Sequence, residues 1–134
     1  MEKCIIVWMS GFTVITNNPL VFDKHREKTV FVKAGAEGVL VAVRDRVHTG
    51  AKLLNHPLSG GVLPGVSPYK SLVVSDSSGC GARGTDFESL ALIENALRML
   101  KREPEGFCGY DGKALEDFQV LDLDMLESAI SQGN

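Results

Sequence analysis

The stretch Phe12-Thr-Val-Ile-Thr-Asn-Asn-Pro19 sets the fold that we predict for this chain. Its first residues are β-branched and aromatic types that suit a buried strand. Thr16-Asn-Asn-Pro19 then ends the strand, because asparagine side chains bond nearby backbone and proline donates no amide hydrogen. Polar residues directly after a buried strand indicate a strand-to-helix loop that carries function.

Working outward from this strand, further strands and helices alternate. Alternation of this kind predicts an α/β single-domain sandwich, with a mostly parallel sheet of about three to five strands flanked by helices. We interpret residues 1–10 as an N-terminal extension of the single domain 1–134 and residues 131–134 as a free tail. The predicted elements after Pro19 are helices over 20–27, 37 onward, 86–102 and 122–130, and strands over 29–32, 71–75 and 118–121.

The helix that starts near Glu37 has the clearest pattern. An apolar stripe at helical spacing is formed by Val39, Leu40, Val43, Val47, Ala51 and Leu54. Gly50 is either the terminator of this helix or a local irregularity within it. If the helix continues across Gly50, His48 and Lys52 lie on one face, because four residues make about one turn.

Composition excludes several classes of protein. The 134 residues carry a net charge of −3, so no basic field draws the chain to nucleic acid or to an anionic membrane. The apolar run over 4–15 is interrupted and falls short of the ~20 residues that a membrane helix needs. Three widely spaced cysteines, Cys4, Cys80 and Cys108, fit neither a disulfide framework nor a metal motif, so we expect a reducing, cytoplasmic location and no cofactor.

Three segments compete for the edge of the sheet where ligands bind in α/β folds. Asn17 and Asn18 suit a carbonyl, purine or phosphate ligand, or they satisfy only the backbone of their own turn. The small-residue segment Gly79–Gly84 precedes a helix and is either an anion site or a plain connector, since it lacks a phosphate-loop motif. The third segment is the histidine-bearing loop before the strand over 71–75.

That loop contains the densest group of polar residues. His56 could act as acid or base with a hydroxyl partner at Ser59, Tyr69 or Ser71, or it could brace the loop by hydrogen bonds with Tyr69. The histidine spacing fits no metal site, and Ser59 lies in no G-x-S-x-G elbow. The residues that we predict to bind a ligand or partner are Thr16, Asn17, Asn18, Arg44, His48, His56, Ser59, Gly60, Tyr69, Lys70 and Ser71.

Four blocks, taken in order, resemble the GrdX family. They are Ile15-Thr-Asn-Asn-Pro19, Val43-Arg-Asp-Arg-Val-His-Thr-Gly50, Leu53-Leu-Asn-His-Pro-Leu-Ser-Gly60 and Ser67-Pro-Tyr-Lys-Ser71. The resemblance spans roughly positions 13–102; it implies a small cytosolic protein encoded beside the glycine, sarcosine and betaine reductase components of anaerobic, amino-acid-fermenting bacteria. It assigns no role to any residue. The chain departs from the family pattern in its extra N-terminal residues, in the Gly79–Gly84 insertion and beyond Pro104.

Two functions follow as hypotheses. The first is a non-catalytic accessory or assembly protein of a glycine-reductase-type system, whose partners are the reductase components and whose binding surface is the T-N-N-P turn with the H-P-L-S-G loop. The alternative is a protein or enzyme that binds a phosphate- or carboxylate-bearing small molecule, with Asn17, Arg44, His56, Ser59 and Lys70 in one cleft. A homodimer that packs through the histidine loop is a third hypothesis.

Overall fold

The computed structural model describes residues 11–57, 68–76, 85–100 and 110–133. Their strands and helices confirm an α/β fold in which helices flank a sheet. The elements are β1 (Phe12–Thr16), α1 (Pro19–Lys24), a 3₁₀ turn (Arg26–Lys28), β2 (Thr29–Phe31), α2 (Ala36–His48), β3 (Ser71–Ser75), α3 (Phe87–Leu100) and α4 (Gly112–Gly133).

The three strands of the described residues form one sheet in the order β2-β1-β3. β1 is parallel to β2, with Val14 opposite Thr29, and antiparallel to β3, with Thr16 opposite Ser71. The sheet is therefore mixed, and the mostly parallel sheet that we predicted is not what these residues form. The reason is that the chain after α2 returns as an extended segment along β3, so that β3 is entered from the end where β1 finishes.

The two edges of the sheet differ. The extended segment covers the outer edge of β3: the Leu54 amide donates to the Val73 carbonyl at 2.8 Å, and Asn55 Oδ1 accepts the Val73 amide at 2.9 Å. The side chain of Asn55 thus takes the place of a strand backbone. β2 lies at the opposite edge, where the side chains of Val30 and Phe31 are 38% and 39% exposed.

Side chains alternate between the two faces of the sheet, as the period of two in a strand requires. Ile15, Leu72 and Val74 pack against α2 and α3. Val14 and Val73 point to the other face, where they meet Val21 of α1 together with Leu123 and Leu126 of α4. The domain therefore has three layers, with the sheet in the middle.

The apolar stripe is confirmed within α2, and of the two interpretations of Gly50 the terminator is the one that the structure confirms; Ala51 and Leu54 of the predicted stripe lie after the end of the helix. Val39, Leu40, Val43 and Val47 are fully buried. The helix ends at His48, and Gly50 has a φ of +108°, a backbone conformation that disfavours side chains with a Cβ. Consequently His48 and Lys52 do not share a helix face.

α4 replaces the strand over 118–121 and the separate final helix that we predicted. It is a single helix of 22 residues that reaches Gly133, so it includes three residues of the predicted tail. The apolar run at Phe118–Leu121 is typical of a strand locally, but Val120 and Leu121 are exposed, and the helix is stabilised by burial of Leu123 and Leu126. Tertiary packing here overrides local propensity.

In the parts of the chain that the structure describes, no helix is both long and apolar enough to cross a membrane.

The positive φ of Gly50 leads to a test of the turn after α2. We expect Gly50→Ala to lower the free energy of unfolding by about 1–2 kcal/mol, because a Cβ is strained in this conformation. Urea denaturation measures the change. Gly112→Ala is the matched control: a Cβ there meets no atom within 4 Å, and its φ is not positive. A Gly50→Ala protein as stable as the Gly112→Ala protein would contradict the expectation.

Candidate functional site

The candidate site is a buried polar cluster at the end of the sheet where β1 finishes and β3 begins. We call it the polar edge cluster, and its members are Thr16, Asn17, Asn18, Lys70, Ser71 and Asp122. The antiparallel pairing of Thr16 with Ser71 brings the T-N-N-P turn and the P-Y-K-S segment together, although 55 positions separate the two residues. Asp122 joins the cluster from α4, the helix packed on that face of the sheet.

Asn17 holds three backbone segments together through one side-chain amide. Its Nδ2 donates to the carbonyls of Ala34 at 3.0 Å and Pro68 at 2.9 Å. Its Oδ1 accepts the amide hydrogen of Lys70 at 2.9 Å. Because the side chain is buried, these bonds satisfy groups that water does not reach, and they fix the segment before α2 and the segment before β3 against the end of β1.

Asn18 begins α1 and also connects it to α4. Its Oδ1 accepts the Leu20 amide at 3.0 Å, which is the N-cap interaction, and Pro19 occupies the first helical position, where its missing amide hydrogen has no cost. Its Nδ2 donates to the carbonyl of Gln119 and to Asp122 Oδ2, both at 3.0 Å. One fully buried asparagine thus links two helices.

Hydroxyl groups link the sheet to Asp122. Thr16 Oγ1 lies 2.7 Å from Ser71 Oγ, and Ser71 Oγ lies 2.6 Å from Asp122 Oδ2. Thr16 Oγ1 also lies 3.0 Å from the Lys70 carbonyl and accepts the Asn18 amide at 2.9 Å. The three side chains are almost fully buried, so they form a continuous polar chain inside the protein.

Burial shifts the acidity of both ionisable members of the cluster. It raises the pKa of Asp122, while the bonds to Ser71 and Asn18 and the charge of Lys70 act in the opposite direction. It lowers the pKa of Lys70, opposed by the negative charge of Asp122. Desolvation is the largest cause in each case, because a charge loses much of its hydration inside the fold.

Lys70 and Tyr69 extend the cluster toward the surface. Lys70 Nζ donates to the Pro57 carbonyl at 2.7 Å, which places His56 beside the cluster with an exposed side chain. Tyr69 Oη accepts a hydrogen bond from Gln119 Nε2 of α4 at 3.0 Å. The structure therefore brings together Thr16, Asn17, Asn18, His56, Tyr69, Lys70 and Ser71 among the residues that we predicted to bind.

Arg44 and His48 lie elsewhere. Arg44 on α2 pairs with Glu94 of α3 at 3.2 Å, on the face of the sheet opposite α4. His48 ends α2 four residues before Lys52, and Lys52 bonds with Ser75, at the end of β3 farthest from Ser71. Arg44 is therefore directed toward α3 and not toward the polar edge cluster.

Several predicted positions lie outside the described residues. They are Ser59 and Gly60 of the histidine loop, the Gly79–Gly84 segment, and Cys4, Cys80 and Cys108.

Sequence reasoning missed Asp122 and Gln119 as members of the site. Asp122 stands at the start of the helix that we predicted over 122–130, but it lies in the middle of α4 with 7% of its surface exposed. A signal was present: Asp122 stands four residues before buried Leu126 and four after Phe118, so a carboxylate falls within an apolar stripe at helical spacing. A buried carboxylate at such a position requires polar partners on the facing element.

The cluster is suited to holding elements in register, because its buried side chains bond to one another and to backbone. Each buried side-chain nitrogen and oxygen in the described residues has a hydrogen-bond partner. In the same residues no group of three or more histidine, cysteine, aspartate or glutamate side chains is arranged to hold a metal ion.

Comparison with known proteins identifies a family for this chain. The family model described as GrdX-like protein matches residues 13–131, and this range includes α4 and the polar edge cluster. No curated protein and no solved structure matches the chain.

The double role of Asn18 gives a stability prediction. We expect Asn18→Ala to lower the free energy of unfolding by about 2–4 kcal/mol, because it removes the α1 cap and leaves Asp122 without one of its buried donors. Thermal or urea unfolding measures the loss. Asn95→Ala is the matched control, since Asn95 is exposed on α3; its change should stay within about 0.5 kcal/mol. Equal effects of the two substitutions would show that the cluster does not stabilise the fold.

Proposed function

The chain belongs to the GrdX-like protein family, and from this premise we propose that it is a non-catalytic accessory or assembly protein of a glycine, sarcosine or betaine reductase-type system. The family match over residues 13–131 is the observation that carries the proposal. The partners are the reductase components, and the protein acts by presenting a rigid surface to them.

The internal bonding of the polar edge cluster supports a role in shaping a surface. Thr16, Asn17 and Asn18 are at most 4% exposed, and their side chains bond to neighbouring backbone and to α4. These residues act as the framework of the binding surface, which consists of the exposed residues around them. A partner-binding site on a rigid framework loses little conformational entropy when the complex forms.

The contact surface of this proposal is the rim of the cluster, which we define as Pro19, Ala34 and His56. All three are exposed. Each is attached to the framework: Pro19 follows buried Asn18, the Ala34 carbonyl accepts a bond from Asn17, and His56 precedes Pro57, whose carbonyl accepts a bond from Lys70. A histidine and a proline beside a cationic lysine form a mixed surface typical of transient protein contacts.

Lys70 supports the second candidate function, binding of a small phosphate- or carboxylate-bearing ligand. Its ammonium group has three hydrogen-bond donors, one of which is directed to the Pro57 carbonyl at 2.7 Å. The side chain is half-buried, where a cation attracts an anion more strongly than it does in bulk water. The described residues near Lys70 include the T-N-N-P turn and Pro57, whereas Arg44 pairs with Glu94 on the other face of the sheet, so this candidate does not use Arg44.

Binding of purified glycine, sarcosine and betaine reductase components to the immobilised protein tests the first proposal. We expect His56→Ala to weaken binding about tenfold or more, as truncation of a central contact residue does. His48→Ala is the matched control, because His48 is also an exposed histidine but lies toward the other end of the sheet. The affinity of the His48→Ala protein for the components should stay within about twofold of that of the unaltered protein. Thermal unfolding of both variants checks that the fold is retained.

Failure of all three component types to bind the unaltered protein would overturn the accessory role. If the two histidine substitutions weakened binding equally, the contact surface would not lie at the rim.

Thermal unfolding with added inorganic phosphate tests the second candidate. A specific site predicts that phosphate raises the midpoint temperature of the unaltered protein, since a ligand that binds only the folded state stabilises it. The increase should disappear in Lys70→Gln and persist in Lys52→Gln. An equal increase in all three proteins would be a general salt effect and would count against the ligand site.

A further inference from the structure

The polar edge cluster contains a row of four oxygen atoms that runs from α4 to the backbone before β3. Asp122 Oδ2 lies 2.6 Å from Ser71 Oγ, Ser71 Oγ lies 2.7 Å from Thr16 Oγ1, and Thr16 Oγ1 lies 3.0 Å from the Lys70 carbonyl oxygen. Each of the three contacts is at hydrogen-bond distance, and each needs one hydrogen between its two oxygens.

The number of available protons decides the state of Asp122. The hydroxyls of Ser71 and Thr16 supply one hydrogen each, and the Lys70 carbonyl supplies none. The third hydrogen must come from the carboxyl group. If Asp122 were a carboxylate, one of the three contacts would bring two oxygen lone pairs together without a hydrogen, inside a region that water does not reach.

We infer that Asp122 is held as a neutral carboxylic acid that donates to Ser71, and that loss of its proton loosens α4 from the sheet. In this arrangement Asp122 donates to Ser71, Ser71 donates to Thr16, and Thr16 donates to the Lys70 carbonyl. The remaining acceptor positions are also used, because Thr16 Oγ1 accepts the Asn18 amide at 2.9 Å and Asp122 Oδ2 accepts Asn18 Nδ2 at 3.0 Å. All hydrogens of the row then have one consistent direction.

The surroundings of the row have opposing effects on the protonation of Asp122. Lys70 is the cation whose charge acts on Asp122, and this charge favours the carboxylate. Its ammonium group, however, bonds to the Pro57 carbonyl, whereas Asp122 itself is 7% exposed. Burial is the dominant effect on Asp122 and raises its pKa. The other titratable groups on the elements packed here are Tyr69, which bonds to Gln119, and His25 of the turn after α1, which pairs with Glu127 of α4 at 3.0 Å.

The row matters for α4 because polar contacts supply much of the attachment of this helix. Asp122 binds Ser71 and Asn18, Gln119 binds Tyr69, and Glu127 binds His25. The apolar contribution comes mainly from Leu123 and Leu126, which pack on Val14, Val21 and Val73. Ionisation of Asp122 would remove one of the three hydrogens of the row, so that one of its three contacts would be left without a hydrogen.

The sign of the pH dependence follows from linkage. A carboxyl whose pKa is higher when α4 is docked binds its proton more tightly in that state, so docking is strongest in acid. Docking weakens as the pH rises from the undocked pKa to the docked pKa, by about tenfold for each pH unit in that interval. Above the docked pKa the dependence on Asp122 ends.

Carbon NMR of the side-chain carboxyl groups tests the protonation state in the full chain. In a pH titration we expect the Asp122 signal to keep the position of the acid to a higher pH than the signal of an exposed carboxyl, because Asp122 is buried within the row. Asp124 is the matched control, because it lies two residues along the same helix with an exposed side chain. An Asp122 signal that changes from acid to carboxylate together with that of Asp124 would overturn the inference.

Hydrogen exchange of the α4 amides tests the effect on docking. Protection factors, which remove the intrinsic pH dependence of exchange, should fall as Asp122 loses its proton, while those of α2 stay constant. The measurement is made on the unaltered protein and on His25→Gln, which replaces the histidine that pairs with Glu127 by a side chain that does not ionise. A fall that persists in His25→Gln supports the role of Asp122. A fall that vanishes in His25→Gln, or no fall as Asp122 titrates, would overturn it.

Discussion

The fold depends on the hydrogen bonds that the Thr16-Asn17-Asn18 turn makes after β1. A sheet flanked by helices can be stabilised by apolar contacts alone, but those contacts do not determine how the connecting segments meet at the end of a strand. In this protein the Asn17 amide joins the segments before α2 and before β3, and Asn18 joins α1 to α4. Two uncharged side chains thereby fix the relative positions of elements that are far apart in sequence.

Much of the fold could be predicted from the sequence, because local pattern and burial agree there. β1, β3 and the stripe of α2 follow from β-branched runs and from the spacing of Val39, Val43 and Val47. The direction of β3 could not be predicted, since it depends on the extended return along Leu53–Asn55 rather than on any residue of β3 itself. α4 was missed for a related reason: the exposed Val120 and Leu121 resemble a strand until the partners of Leu123 and Leu126 are known.

The candidate site, like the fold, could be predicted from the sequence only in part. The sequence identified the T-N-N-P and P-Y-K-S segments as polar and close to the sheet edge, and the structure joins them through Thr16 and Ser71. It did not identify Asp122, because a single carboxylate in a helix has many ordinary explanations and its partners lie about a hundred positions earlier and 51 positions earlier in the chain. Arg44 and His48 belong to a helix whose orientation carries them away from this edge, which periodicity alone does not specify.

The unequal edges of the sheet bear on how this protein would associate by strand pairing. On the β3 side, the extended segment and the Asn55 side chain already occupy backbone hydrogen-bonding positions that another chain would need. Within the described residues, the outer backbone of β2 is paired with no other strand, and β2 is only three residues long. So short a template offers few hydrogen bonds, which keeps any pairing there weak and reversible and protects the sheet against growth into larger aggregates.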